Sequence, residues 1–301
     1  MSRNTELQEP LARRAFRAFA ITVAALVGLV FPTAWPSAAR GVDSASSATA
    51  EALGLAQEDR PAGRMPAGIF EVRVYTIAPG KLDTFARWME RADKFQESVG
   101  MRILGHFTAP EQNKYIWIRI YPDEPTRQQR FKAVYESAEW KTKFTDAREA
   151  GFEAAEVFLT RAAKYSKLQY TDAASGRLPA PAGGAKSEYE FRFYDIKPGM
   201  LDTFVGYMGE KMIPWQESHP TKQRVVAQLV PYGRIVRGAV EPETGTYLWV
   251  RTFKDQASRK DKYRIYEDKA GFASVGSAGE AGFAKARAIL FGNPTSFSKL
   301  Q

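Results

Sequence analysis

The chain contains no cysteine and only two histidines, His106 and His219, among 301 residues. The first absence excludes a disulfide, a thiolate metal cluster and a cysteine nucleophile, and the second excludes a histidine-rich metal site. Also missing are a phosphate-cradling glycine loop, a serine nucleophile elbow and a zinc motif. Lys and Arg outnumber Asp and Glu by 43 to 34, yet no run of five or more basic residues marks a nucleic-acid or polybasic membrane patch. The expectation is a protein with no cofactor, no bound metal and no nucleic-acid partner, whose chemistry rests on Arg, Tyr, Trp and Glu.

What is present begins with an export-type leader. Arg13, Arg14 and Arg17 precede an apolar run from Ala18 to Phe31 and the small residues Ser37, Ala38 and Ala39. The run is shorter than the roughly 20 residues a spanning helix needs, so residues 1–39 read as a signal peptide. An uncleaved N-terminal anchor is the alternative. Arg13-Arg14-Ala15-Phe16 suits the twin-arginine route, ordinary secretion being the alternative because Ala12 stands where a polar residue is usual, and a periplasmic or extracellular location is expected. Cleavage after Ala39 removes four Arg and two Glu and lowers the net charge from +9 to +7. Residues 40–67, rich in Ser, Ala, Gly and Pro, read as a flexible tether.

The remainder repeats itself. Arg73–Phe85 returns as Arg192–Phe204 at an offset of 119, and Gln96-Glu97-Ser98 returns as Gln216-Glu217-Ser218 at 120. At an offset of 132, Arg102–Leu104 matches Arg234–Val236, Tyr115–Arg119 matches Tyr247–Arg251, and Ser166–Gln169 matches Ser298–Gln301. This is one domain written twice, residues 68–170 and 188–301, with 171–187 as linker and a 12-residue insertion near 219–233. By that offset His106 is matched by Gly238.

Within a copy, Phe70–Ile77 alternates as a half-buried strand, Pro79-Gly80 breaks it, and Leu82, Phe85, Trp88, Met89, Ala92 and Phe95 recur at helical spacing. Arg102–Thr108 and Tyr115–Tyr121 read as a hairpin. A second helical region begins near Pro125, with an amphipathic helix over 141–156, and Val157–Tyr165 reads as the last strand. The order is β-α-β-β-α-β, the ferredoxin-like motif. Pro214 is expected to end or kink the first helix of the second copy, and Val225–Val230 to add a strand.

On the first strand Glu71, Arg73 and Tyr75 alternate with Phe70, Val72 and Val74; on the third, Tyr115, Trp117, Arg119 and Tyr121 alternate with isoleucines. The second copy repeats this with Glu190, Arg192, Tyr194, Tyr247, Trp249 and Arg251. Charges are costly to bury and aromatics costly to expose. Two sheets packed through these polar faces would enclose them, and the isoleucine faces would then meet the helices. The expected α+β architecture is therefore two tandem ferredoxin-like domains pairing as an intramolecular dimeric α/β barrel.

At this point the run Tyr189–Phe204, with Tyr247–Arg251, resembles the NIPSNAP family of the dimeric α/β barrel superfamily. The resemblance spans about 100 residues in each copy and implies a fold more firmly than an activity. The wider superfamily includes cofactor-free monooxygenases, haem-binding enzymes and proteins with no known catalysis. NIPSNAP-like sequences carry a His after the first helix, which favours His219 over His106. Neither histidine lies where haem-degrading relatives place theirs.

The expected ligand-binding residues are Arg73, Tyr75, Trp117, Arg119, Arg192, Tyr194, Trp249 and Arg251, with His219, lining a lumen for a small, anionic organic molecule. Three readings stay open: a binding protein, a cofactor-independent monooxygenase-type enzyme, and a non-catalytic structural or interaction module whose Glu71 and Glu190 merely neutralise the arginines. A homo-oligomer is compatible with each.

Overall fold

The computed structural model describes residues 68–218, 223–236, 239–241, 246–261 and 282–301. The leader, the tether and His219 lie outside them.

Alternation makes the strands and 3.6-residue spacing makes the helices. In the first half β1 (Ile69–Ile77) leads through Gly80 to helix α1 (Leu82–Ser98), then to the hairpin β2 (Arg102–Ala109) and β3 (Lys114–Tyr121). Helices α2 (Glu124–Tyr135) and α3 (Ala138–Lys143) follow, then β4 (Phe152–Ala162). After a short helix α4 (Tyr170–Ala174), the second half runs β5 (Glu188–Ile196), α5 (Leu201–Tyr207), α6 (Ile213–Ser218), β6 (Arg224–Val236), β7 (Ala239–Glu241), β8 (Thr246–Phe253), α7 (Gln256–Lys260) and β9 (Ala284–Pro294).

The strand order is β4-β1-β3-β2-β9-β5-β8-β6-β7, and β6 also pairs with β4. Eight strands therefore close on themselves, each half supplying four antiparallel strands. One seam is short, Phe107 opposite Pro294 and Thr108 opposite Asn293. The other runs from Phe158 opposite Arg234 to Ala162 opposite Leu229. The tandem ferredoxin-like domains thus form an intramolecular α/β barrel.

The faces are the reverse of the sequence expectation. Phe70, Val72, Val74, Ile116, Ile118 and Ile120 join Phe107, Phe158, Phe191, Phe193, Leu229, Leu248, Val250 and Leu290 in one buried cluster fed by all eight closing strands. The lumen is therefore apolar and filled. Tyr75, Tyr115 and Trp117 face outward and pack on Phe85, Trp88, Met89 and Ala92 of α1, and Tyr194, Tyr247 and Trp249 do the same beneath α5 and α6. Alternation tells which residues share a face; it does not tell which way that face looks when both are covered.

Register also relocates the insertion. Ile103 and Gly105 flank a bulge opposite Arg119 and Ile118, and Val225 and Ala227 flank the same bulge opposite Arg251 and Val250. His106 and Gln228 both face the tryptophan of the neighbouring strand, so Gln228, not Gly238, is the counterpart of His106. Val225–Val230 is accordingly the equivalent of β2, not an added strand. One extra residue is absorbed earlier, in a π turn over Met208–Met212 between α5 and α6, which is how a helix takes up a single insertion. Pro214, which has no N–H to give, is the second residue of α6, one residue past that turn, and the helix continues to Ser218. The larger excess lies beyond the bulge, where β6 runs on to pair with β7.

In the first half the expected helix over 141–156 gives way to α3, a 3₁₀ turn at Thr145–Ala147 and the start of β4. Gly151, at φ 111°, interrupts it, a conformation that side-chain-bearing residues rarely hold. β4 consequently begins at Phe152 instead of Val157.

The repeated Ser-Lys-Leu-Gln tails cross over. Leu168 donates its N–H to Val226 O at 2.9 Å, and Leu300 donates to Leu104 O at 3.0 Å. Ser166 Oγ accepts from Gln228 N (3.1 Å) and Ser298 Oγ accepts from His106 N (3.2 Å). Each tail thus closes the other half, and both leucines enter the shared core. The segment expected to be a plain linker also contributes, through buried Ala173 and partly buried Leu178.

Candidate functional site

Three polar constellations stand out. The first two are equivalent and lie between sheet and helix, one in each half. Glu71, fully buried, accepts from Arg119 Nη2 at 2.6 Å and from Arg73 Nε, with Arg127 Nη1 at 3.5 Å. Arg119 also donates to Gln96 Oε1 on α1 at 3.0 Å. In the second half Glu190 accepts from Arg251 Nη2 at 3.1 Å and from Arg192 Nε. Arg251 donates to Gln216 (3.3 Å) and Gln223 (2.6 Å). The guanidiniums stack on tryptophan with matching geometry: Arg119 and Arg251 lie 4.6 Å from the Trp117 and Trp249 rings, and Arg73 and Arg192 lie 5.7 Å away.

Burial alone would raise the Glu71 carboxyl, but the fields of Arg119, Arg73 and Arg127 outweigh it and hold the group down to about 2. The eight described residues expected to line a lumen are therefore brought together in two groups of four, under the helices. Arg73 Nη1 reaches Tyr75 OH at 3.1 Å, and Arg192 Nη1 reaches Tyr194 OH at 3.3 Å. These arginines are engaged by carboxylates and phenols, as buried charges must be.

The third constellation belongs to the first half alone. Tyr115 OH lies 3.0 Å from His106 Nδ1, and His106 Nε2 lies 3.3 Å from Asp93 Oδ2 on α1. The imidazole stacks on Trp117 at 5.7 Å and 18°, and Phe297 covers it at 4.8 Å. Burial pushes the Tyr115 phenol well above its ordinary range, and Asp93 adds to the effect. In the second half Gln228 stands for His106 and accepts from Tyr247 OH at 2.6 Å. Ile213, at the 120-residue offset, stands for Asp93.

Open space lies elsewhere. A cleft of about 250 Å³ at one rim of the barrel is lined by Gly100, Arg102, Tyr121, Thr126, Arg130 and Tyr170 among others. Arg102 donates to Ala174 O and Arg130 Nη1 donates to Val99 O at 2.9 Å. Among the described residues no carboxylate is paired with either arginine, and nearby Asp123 is occupied in capping α2 through Thr126 N at 2.7 Å. Gly100, at φ 85°, is required: a Cβ there would sit 2.6 Å from Arg130 Nη1. In the second half the corresponding rim is occupied by the linker, with Ala182 N donating to Thr252 Oγ1 at 3.1 Å and Gly183 pressed on the backbone of Lys254. Among the described residues no three His, Asp or Glu side chains converge on a metal position.

Sequence reasoning missed Gln96 and Gln216, although both head a repeated Gln-Glu-Ser block, and gave no role to Asp93, Arg102 or Arg130. The repeat did carry a signal for Arg130, because the 132-residue offset sets another basic residue, Lys262, against it.

Residues 70–167 match the NIPSNAP family model. No curated protein matches the chain. Among solved structures, an uncharacterised NIPSNAP-like domain protein from Burkholderia xenovorans is 21% identical over 35% of this chain and 93% of its own, with a TM-score of 0.32. A NIPSNAP family protein from Agrobacterium tumefaciens is 18% identical over 35% and 93%, TM-score 0.31. An anthrone oxidase-like protein is 12% identical over 76% of this chain and 92% of its own, TM-score 0.47.

Proposed function

Starting from the NIPSNAP domain at residues 70–167, we propose that the chain is an exported, tandem NIPSNAP protein that binds a small organic anion at the first-half rim cleft and does not transform it. The single observation that carries this reading is the pair Arg102 and Arg130, two guanidiniums with no carboxylate partner among the described residues, beside the cleft floor of Tyr121 and the wall of Tyr170. Guanidinium forks match carboxylate and phosphate oxygens, and flanking aromatic surface suits a ring or short chain attached to them. The packed lumen and the neutralised clusters under the helices support binding at the rim over turnover inside the barrel. The arginine-led leader supports export, and the shared strand register supports a second copy of the same domain at 188–301.

The test is isothermal titration with benzoate and with inorganic phosphate as probes, on the full chain and on Arg102→Gln and Arg130→Gln. Charge-assisted hydrogen bonds contribute about 1.5–3 kcal/mol each, so either substitution is expected to weaken binding by roughly tenfold or more. Equal affinity in the native chain and in the double variant overturns the assignment.

A further inference from the structure

The Asp93–His106–Tyr115 chain is buried, is built into one half only, and has no part in the rim cleft. When Nδ1 accepts from the Tyr115 hydroxyl the hydrogen of the imidazole sits on Nε2, on the side of Asp93 Oδ2, which lies 3.3 Å away without the geometry of a hydrogen bond. A phenol hydrogen-bonded to a basic nitrogen, itself backed by a carboxylate, is the arrangement needed to lose an electron and a proton together. Without a base, one-electron oxidation of a buried phenol would leave a strongly acidic cation radical in a medium that penalises charge. With His106 in place the proton moves along the existing hydrogen bond, and Asp93 steadies the imidazolium.

A route to the surface is also present. Tyr115 meets Phe85 edge to face at 5.2 Å, and Phe85 stacks on Trp88 at 5.5 Å and 21°. Trp88 lines a surface groove along α1, and its indole N–H is held by Asp146 Oδ1 at 2.7 Å. Trp88 is only 6% exposed but borders that groove, so an oxidising equivalent delivered there has a contact path inward through Phe85.

We propose that Tyr115 is a redox-active tyrosine, oxidised through Trp88 by an external one-electron oxidant of the high-potential metal-complex class. In that step the oxidant takes one electron, the O–H bond of Tyr115 breaks, its proton bonds to His106 Nδ1, and a neutral tyrosyl radical remains. A one-electron reductant of phenol or thiol class returns the electron and releases its own proton to solvent, and His106 returns the proton it holds to Tyr115. The second half is a built-in reference: Tyr247 bonds to Gln228, whose amide oxygen cannot hold a proton, and Ile213 offers no charge.

The experiment is flash oxidation with a photoexcited ruthenium tris-bipyridine complex and a sacrificial acceptor, read by electron paramagnetic resonance on the full chain. A tyrosyl signal is expected in the native protein, to be lost in Tyr115→Phe, reduced in His106→Gln, and kept in Tyr247→Phe. Trp88→Phe is expected to lower the yield; an unchanged yield there overturns the route. Circular dichroism and thermal melting check that each variant is folded; if His106→Gln does not fold, Asp93→Asn takes its place, with a reduced signal expected and an unchanged one counting against the role of the base. A signal that survives Tyr115→Phe, that falls equally in Tyr247→Phe, or that is absent from the native protein overturns the proposal.

Discussion

Ser298 Oγ accepts the backbone N–H of His106 at 3.2 Å across 192 residues of chain, and Ser166 Oγ accepts that of Gln228 at 3.1 Å. The two bonds are equivalent, and each fastens the end of one half to the second strand of the other.

Truncating either tail leucine is therefore expected to destabilise the whole barrel. Leu168 and Leu300 are almost wholly buried in the common core, and Leu→Ala at such sites costs about 2–5 kcal/mol. Urea unfolding of Leu168→Ala and Leu300→Ala should show single transitions with comparably lowered midpoints. A second, separate transition in either variant would count against shared closure.

Acid should act through Glu71. Its folded value of about 2 lies below the unfolded one of about 4.3, so the stabilisation is present above the latter and is lost as pH falls toward the former. A difference of about two units corresponds to roughly 3 kcal/mol. Glu71→Gln should flatten the stability–pH curve between about pH 4 and 2. Glu71→Ala, which leaves buried guanidiniums unpaired, should cost about 3–5 kcal/mol at neutral pH.

The seam at Phe107 should be among the least tolerant positions. Its ring lies 4.7 Å from Tyr189 and 5.0 Å from Phe191, joining the halves inside the lumen. Phe107→Ala is expected to cost about 3–5 kcal/mol, measured by denaturant midpoint. A loss under about 1 kcal/mol would fit a loosely filled lumen instead.

Gly100→Ala should impair the rim cleft without touching its arginines. The positive φ strains any Cβ by roughly 1–2 kcal/mol, and that Cβ would collide with Arg130. The expected result is a lower melting temperature together with weaker benzoate binding. Unaltered binding would show that Arg130 holds its place by other contacts.

The element order was legible because alternation, helical spacing and the Pro-Gly breaks all survive in both copies. The inside and outside of the barrel were not, because Glu71 and Arg119 read as too polar for a helix-covered face. They occupy it because they pair with each other and with Arg73 and Arg127, and Gln96 brings a further acceptor down from α1. The repeated blocks held more than was read from them. Glu97 pairs with Lys299 and Glu217 with Lys167, so Gln-Glu-Ser and Ser-Lys-Leu-Gln recur together because they meet across the halves. The misplaced insertion has a similar origin: Arg234–Val236 resembles Arg102–Leu104 in letters, whereas the bulge and the facing tryptophan align Arg102 with Arg224.

The exchanged tails also change what the connection between the halves is for. Cutting the chain anywhere within 175–183 would leave two pieces that each still hold the other's terminus: the strand seam, Leu168 on Val226 and Leu300 on Leu104 all survive the cut. Once the halves have met, the barrel is fastened like a clasp whose two hooks lie on opposite pieces.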